Sequence, residues 1–413
     1  MTNFFDDKIS ERLGGSSFGK STTIYKFEII KRAKAAAKKA HPELGLIDMG
    51  VGEPDWPADN LVVKALSEEA GKPENRWYAD NGIPEFQEAA VQYLEKVYGV
   101  SGLMPSENII HGLGSKPILA MLPLCFINPG DILLTTVPGY PVTATYTKYL
   151  GGEVFDLPLL ESNSFLPDLS LIPQPVLKRA KLLYLNYPNN PTGAVASIEF
   201  FKYVVDFAKK NNIIVIHDAP YSALTYNGYK PLSFLSVEGA MDVGLEVHSL
   251  SKAFNMTGWR IGFICGNSKA VKTYATVKDN TDSGQFRAIQ KAAIQALRNT
   301  DITAKTIIKY SRRFDLLVEA LKDLGFDAKK PKGSFYCYVK APVATENGKK
   351  FSSASEFSEF LIHEALISTV PWDDAGKFIR FSVTFEANSV EEEIKVINEM
   401  KERMKKLKLI FSN

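Results

Sequence analysis

Cysteine is scarce in this chain: Cys125, Cys265 and Cys337 stand far apart among 413 residues, with no CxxC pair. An odd, widely spaced set excludes a disulfide framework and a thiolate metal site, and predicts reduced thiols packed in a core. An excess of charge of one sign is lacking too. Lys and Arg number 49 against 47 Asp and Glu, a formal charge of +2, so no strong field favours nucleic acid or an anionic membrane as partner. Small molecules are the expected ligands. No apolar run approaches the ~20 residues of a membrane span, and the opening Met1-Thr-Asn-Phe-Phe-Asp-Asp-Lys8 is acidic where a secretory leader is basic and then apolar. The expectation is a cytoplasmic protein. Five histidines, His41, His111, His217, His248 and His363, show no paired ligand spacing, so capping or core roles are expected and no metal is.

What is present is alternation. Short apolar runs at Ile109-Ile110, 131–137, 152–157, 181–185, 213–217, 246–249 and 261–265 are mostly separated by amphipathic segments such as 116–126 and 197–211. That is the βαβ pattern of an α/β fold with a mainly parallel central sheet. A chain of this length exceeds one core. The expected division is a large domain over 60–285 and a smaller α+β domain formed by 286–413 with the N-terminal segment 1–59. Helices are expected near 25–39, 84–98, 290–324, 355–365 and 391–408, and strands at 334–339 and 378–383.

In an open parallel sheet, ligands bind at the carboxyl ends of strands, and the polar residues of interest fall there. The run His248-Ser-Leu-Ser-Lys-Ala-Phe-Asn-Met-Thr-Gly-Trp-Arg260 puts one amine, Lys252, beside the hydroxyls of Ser249 and Ser251 and the fork of Arg260. An amine can form a Schiff base with an aldehyde cofactor while hydroxyls and a guanidinium hold its phosphate, which is the chemistry of a pyridoxal phosphate pocket. Asp218 follows the strand 213–217 and can pair with a protonated pyridine nitrogen; Tyr221 can donate to the ring's phenolic oxygen. Asn190, in the rigid Asn186-Tyr-Pro-Asn-Asn-Pro-Thr-Gly193 loop, can bond the same oxygen and the incoming carboxylate.

The turn Gly112-Leu-Gly-Ser-Lys116 opens a helix whose N–H groups can bind phosphate, but it lacks the third glycine of a dinucleotide fingerprint and the spacing of a Walker loop. Tyr140, in Pro138-Gly-Tyr-Pro141, can stack on a ring. Any of these residues alone reads as a cap, a turn or packing. Their combination is what points to one site.

Together these motifs resemble the class I aminotransferases of the aspartate aminotransferase superfamily, fold type I among pyridoxal phosphate enzymes, over nearly the whole chain. The resemblance implies Lys252 as the Schiff-base lysine, Asp218 at the pyridine nitrogen, Asn190 and Tyr221 at the phenolic oxygen and Tyr140 as the stacking ring. It implies a phosphate cup of Gly114, Ser115, Lys116, Ser249, Ser251 and Arg260. In Phe378-Ile-Arg-Phe-Ser382, Arg380 matches the arginine that grips the substrate α-carboxylate, and Gly52 in Gly50-Val-Gly-Glu-Pro-Asp55 matches a backbone contact near the substrate. Tyr78 matches a tyrosine that reaches the neighbouring subunit's phosphate, implying a homodimer with shared active sites. Tyr25 resembles a tyrosine near the distal end of the substrate.

A narrower resemblance, to LL-diaminopimelate aminotransferases, is carried by Leu185-Asn-Tyr-Pro-Asn-Asn-Pro-Thr-Gly-Ala-Val195, His217-Asp-Ala-Pro-Tyr-Ser222, Val247-His-Ser-Leu-Ser-Lys252, Val277-Lys-Asp-Asn-Thr-Asp-Ser-Gly284 and Leu159-Leu-Glu-Ser-Asn-Ser-Phe-Leu-Pro-Asp168. It implies ping-pong exchange between LL-diaminopimelate plus 2-oxoglutarate and tetrahydrodipicolinate plus glutamate, in lysine biosynthesis. A transaminase for aspartate, alanine or aromatic amino acids, or a carbon–sulfur lyase on the same cofactor, is the alternative, because fold does not set the substrate.

Overall fold

The structure, a computed structural model, describes residues 4–5, 7–19 and 26–412; Tyr25 lies outside them. Its centre is a seven-stranded sheet. The strands lie side by side in the order Ile109–Gly112, Gly262–Gly266, Gly244–Ser249, Ile214–Asp218, Ala180–Asn186, Ile132–Val137, Glu153–Pro158. All neighbours pair in parallel except Gly262–Gly266, which runs against both of its neighbours. The α/β class and mainly parallel sheet expected from the apolar runs are therefore present.

Alternation of side chains across the pleat builds two cores from one sheet. Leu182, Tyr184 and Ile216 face a cluster with Leu119, Leu122 and Tyr274, whereas Leu183, Leu185 and Val215 face the cluster containing Phe86, Leu94 and Val204. The helices Ser115–Phe126 and Ser268–Lys278 thus cover one face, and Pro84–Tyr98 and Ile198–Asn211 the other. Both faces are buried, which is why these strands read as continuous apolar runs.

The chain after residue 300 adds a three-stranded antiparallel sheet, ordered Val370–Trp372, Phe378–Ser382, Tyr336–Lys340, with the helices Ala354–Ala365 and Val390–Lys405. The N-terminal segment joins it: Ile47 and Asp48 pair in parallel with Ile367 and Ser368. The helical stretch expected over 290–324 is two helices, Arg287–Arg298 and Asp301–Asp323. Asn299 leaves the helical region at φ −112°, ψ 76°. The first of the two packs along Asn60–Ala70 and Pro84–Tyr98.

Strand register sets the site. Asn186 pairs with Asp218, Asp218 with Val247, and Ser249 with Gly262, which also faces Gly112. Four loop entrances consequently open along one edge of the sheet. Among the described residues, no helix is long and apolar enough to cross a membrane.

Candidate active site

Lys252 sits in the four-residue helical turn Leu250–Ala253, capped by Ser249, whose Oγ accepts from Ser251 N at 3.2 Å. The turn points the amine across the site, where Nζ donates to the carbonyl of Gly52 at 2.6 Å and lies 5.7 Å from the centre of the Phe335 ring. Burial lowers its pKa to about 8; Arg260 and Arg380 push the same way and Glu53 opposes them. This amine is therefore partly neutral near physiological pH.

Asp218 ends a central strand and is 3% exposed. Its Oδ2 accepts from the Tyr184 hydroxyl at 2.8 Å, but its Oδ1 is buried without a partner. Burial raises the carboxyl to about pKa 7, with the Tyr184 hydrogen bond and His217 opposing. A buried oxygen left unpaired is costly, and a protonated ring nitrogen is the kind of donor that removes the cost. Asn186 fixes the neighbourhood: its Nδ2 donates to Asp218 O and its Oδ1 accepts from Asn190 N, both at 2.8 Å.

Arg380 lies in the middle of its strand, 3% exposed and stacked 3.9 Å from the Tyr336 ring centre. Nη1 donates to Asn190 Oδ1 at 2.8 Å and Nη2 to the carbonyl of Gly50 at 3.0 Å, while Nε has no partner. Such a fork can exchange these neutral acceptors for a carboxylate. Tyr221 is buried, with its hydroxyl 3.3 Å from that of Tyr336. Burial, reinforced by Tyr336, raises its pKa well above the ordinary value, so it stays a donor.

A second cradle forms where Gly114 begins the helix Ser115–Phe126. Its φ of +86° suits glycine, and a Cβ there would collide with Arg260 Nη2. Arg260, itself left-handed at φ 56°, donates from Nη1 to Thr257 O at 2.7 Å and from Nη2 to Leu113 O at 3.2 Å, with Ser251 Oγ 3.5 Å from Nη1. The helix N-terminus, Ser115, Ser251 and the guanidinium are groups that can bind an anion. Ser249 contributes through its cap on this turn.

Tyr140 is half-buried and packs on the cluster that holds Tyr184. Tyr78 is 77% exposed, with its carbonyl accepting from Arg287 Nη2 at 2.8 Å. The structure therefore joins Lys252 to Gly52, Arg380 to Asn190 and, through Asn186, Asn190 to Asp218, while Tyr221 bonds Tyr336, on which Arg380 stacks. Gly114, Ser251 and Arg260 meet beside them, and Tyr78 projects outward.

Three groups escaped the sequence reading. Tyr184 and Tyr336 look like ordinary core residues of apolar strands. Glu246, fully buried, takes hydrogen bonds from His217 Nδ1 at 2.7 Å, His248 Nε2 at 2.6 Å, Ser233 Oγ at 2.7 Å and Phe234 N at 2.7 Å. Burial alone would raise its pKa; His248 and the hydrogen bonds hold it well below the carboxylate range. The two histidines thus have the core role expected of them. All three cysteines are free, Cys265 and Cys337 buried and Cys125 half-buried.

A mainly parallel sheet with a buried amine, a buried carboxyl oxygen without a partner and a buried guanidinium at one edge is the α/β architecture expected above. Residues 45–397 match the family model for aminotransferase class I and II, and the chain belongs to this family. It is 56% identical over 416 residues to an LL-diaminopimelate aminotransferase of Methanococcus maripaludis and 55% identical over 419 residues to one of Methanocaldococcus jannaschii, covering 100% of both chains each time. Among solved structures, substrate-bound BacF from Bacillus is 33% identical with a TM-score of 0.87, covering 98% of this chain and 99% of that one. An aspartate aminotransferase of Thermus thermophilus, a single mutant, is 27% identical with a TM-score of 0.83, covering 98% and 100%.

Proposed function

We propose that the chain is a pyridoxal phosphate-dependent aminotransferase that interconverts LL-diaminopimelate plus 2-oxoglutarate with tetrahydrodipicolinate plus glutamate. The observation that carries the cofactor is Asp218 Oδ1, a buried carboxylate oxygen without a donor at the mouth of the sheet. The full-length relatives at 56% and 55% identity support the substrate.

The residues present fit the cofactor. Lys252 would bind it covalently, Asp218 would face the ring nitrogen, and Tyr221 and Asn190 the phenolic oxygen. Tyr140 would cover the ring, and the Gly114–Ser115–Lys116 helix start with Ser249, Ser251 and Arg260 would hold the phosphate. When bound, pyridoxal phosphate supplies an aldehyde for the amino group and a pyridinium ring that takes up the electrons left at Cα.

The chain's own groups do the rest. Arg380 exchanges its Asn190 and Gly50 acceptors for the substrate α-carboxylate and so orients the Cα–H bond. Lys252 Nζ, neutral above pH 8 and held beside Gly52, takes the Cα proton as general base and redelivers it. Asp218, raised to about pKa 7 by burial, would carry its negative charge opposite a protonated ring nitrogen, and Tyr184 holds the carboxyl group in place. The second substrate uses the same groups in reverse, giving ping-pong kinetics.

A homodimer belongs to this reading. Tyr78, 77% exposed beside Trp77 at 57%, would reach the partner's phosphate cradle. A cytoplasmic location goes with three free cysteines and a biosynthetic reaction. Borohydride reduction of the holoenzyme followed by peptide mass spectrometry tests the cofactor assignment. A phosphopyridoxyl mass on the peptide containing Lys252 is expected; the same mass on another lysine would refute it.

A further inference from the structure

The turn that carries Gly50 and Gly52 is held at four successive points. Gly50 O accepts from Arg380 Nη2 at 3.0 Å, Val51 O from Thr384 Oγ1 at 3.1 Å and Gly52 O from Lys252 Nζ at 2.6 Å. The fourth is Asp55, whose side chain is 2% exposed. Its Oδ1 accepts from Lys309 Nζ at 2.7 Å and its Oδ2 from Arg313 Nη2 at 2.9 Å. Lys309 is 1% exposed and lies 3.8 Å from the Trp56 ring centre; Arg313 is fully buried.

Arg313 spends all five of its N–H groups. Nε donates to Glu393 Oε1, Nη1 to the carbonyls of Val383 and Phe385, and Nη2 to Asp55 and the carbonyl of Ala387. Those carbonyls belong to the chain just after Arg380. One buried guanidinium therefore ties the turn beneath Lys252 to the exit of the strand that bears the carboxylate-binding arginine. Ion pairs this deep gain little net stability over apolar packing of the same volume, but they fix geometry when every lone pair is used.

We infer that Asp55, clamped by Lys309 and Arg313, is a positioning residue of the aminotransferase: it sets the Gly50–Gly52 turn so that its carbonyls orient Arg380 and Lys252 together. The inference rests on the function proposed above. Both Asp55 oxygens are taken by Lys309 and Arg313 and the side chain is buried, so its effect passes through Arg380 and Lys252. Loss of the clamp should mainly weaken carboxylate binding, because in the free enzyme Arg380 loses the partner that holds its fork ready for the carboxylate, while the proton-moving amine remains in the site.

The test uses Asp55→Asn, which keeps shape and removes charge, together with Lys309→Met and Lys309→Arg. In the apoenzyme, peptide-level amide exchange over residues 46–58 and 380–386 should speed several-fold in Asp55→Asn and Lys309→Met and stay near wild type in Lys309→Arg. In the holoenzyme, KM for the amino acid should rise about tenfold in the first two with a smaller change in kcat, and Lys309→Arg should restore it. In an Arg380→Lys background, the Asp55→Asn effect on KM should largely vanish. Unchanged exchange and unchanged KM would overturn the proposal, as would a fall in melting temperature with KM intact, since that is a structural role only. If Asp55→Asn does not fold, the two Lys309 variants carry the same comparison. A wild-type enzyme inactive on every amino acid would instead refute the function, and the exchange result would remain readable.

Discussion

Lys252 Nζ and the carbonyl of Gly52, 200 residues apart in sequence, meet at 2.6 Å. The contact lays the N-terminal turn against the amine, and burial of the amine lowers its pKa to about 8. A lysine whose folded pKa lies below its unfolded value favours the folded state more as pH rises through the folded pKa towards the unfolded one.

Acylation of Lys252 in the apoenzyme should accordingly titrate with a midpoint near pH 8, against the ordinary lysine value of about 10.4 for exposed lysines. Rate against pH, read by peptide mass spectrometry, checks this. Lys252→Ala should lower multiple-turnover transamination by at least about 10³-fold, and normal turnover in that variant would end the assignment.

Asp218 works in the opposite sense. Its folded pKa is raised to about 7 by burial, so the apoenzyme loses stability as pH rises from the unfolded carboxyl value towards 7. Asp218→Asn should then make the apoenzyme more resistant to urea at pH 7.5, by on the order of a kcal/mol or more, with little effect at pH 4. The same variant should lower kcat of the holoenzyme by ~10²-fold or more, since a neutral amide cannot hold the ring nitrogen protonated. Paired urea titrations and kinetics measure both.

Much of this site is legible in the sequence, for particular reasons. Lys252, Asp218, Asn190 and Arg260 lie in short motifs at strand ends, where a polar residue beside an apolar run is visible. Tyr184 and Tyr336 lie inside strands and look like packing; only the register that sets Asn186 against Asp218 shows that Tyr184 supports the carboxylate. The Asp55 and Arg313 pairing joins residues 258 apart, a separation no local pattern encodes. The break at Asn299 is legible: the polar run Arg298-Asn-Thr-Asp301 interrupts the apolar pattern and offers a helix stop followed by a start, whereas the expected 290–324 helix runs through it. The reversed direction of Gly262–Gly266 is hidden because a strand buried on both faces reads alike either way.

Arg380→Lys should raise KM for both the amino acid and the oxo acid by roughly 10- to 100-fold, corresponding to about 1.5–3 kcal/mol for a lost charge-assisted bond. An ammonium cannot replace the fork that stacks on Tyr336 and reaches Asn190 and Gly50. Steady-state kinetics with varied substrate reads it, and an unchanged KM would move the carboxylate site elsewhere.

Gly114→Ala should weaken cofactor binding more than folding. The added methyl group enters the left-handed position at φ +86° and meets Arg260 Nη2, costing about 1–2 kcal/mol in backbone strain alone and displacing the guanidinium from the anion cradle. The Kd for pyridoxal phosphate, followed by its visible absorbance in the apoenzyme, is expected to rise at least about tenfold.

The substrate is decided by kcat/KM for LL-diaminopimelate, meso-diaminopimelate, aspartate, alanine and phenylalanine as amino donors to 2-oxoglutarate, followed by glutamate formation. LL-diaminopimelate should exceed every other donor by at least about tenfold. Efficient conversion of aspartate or phenylalanine with none of LL-diaminopimelate would contradict the proposed function.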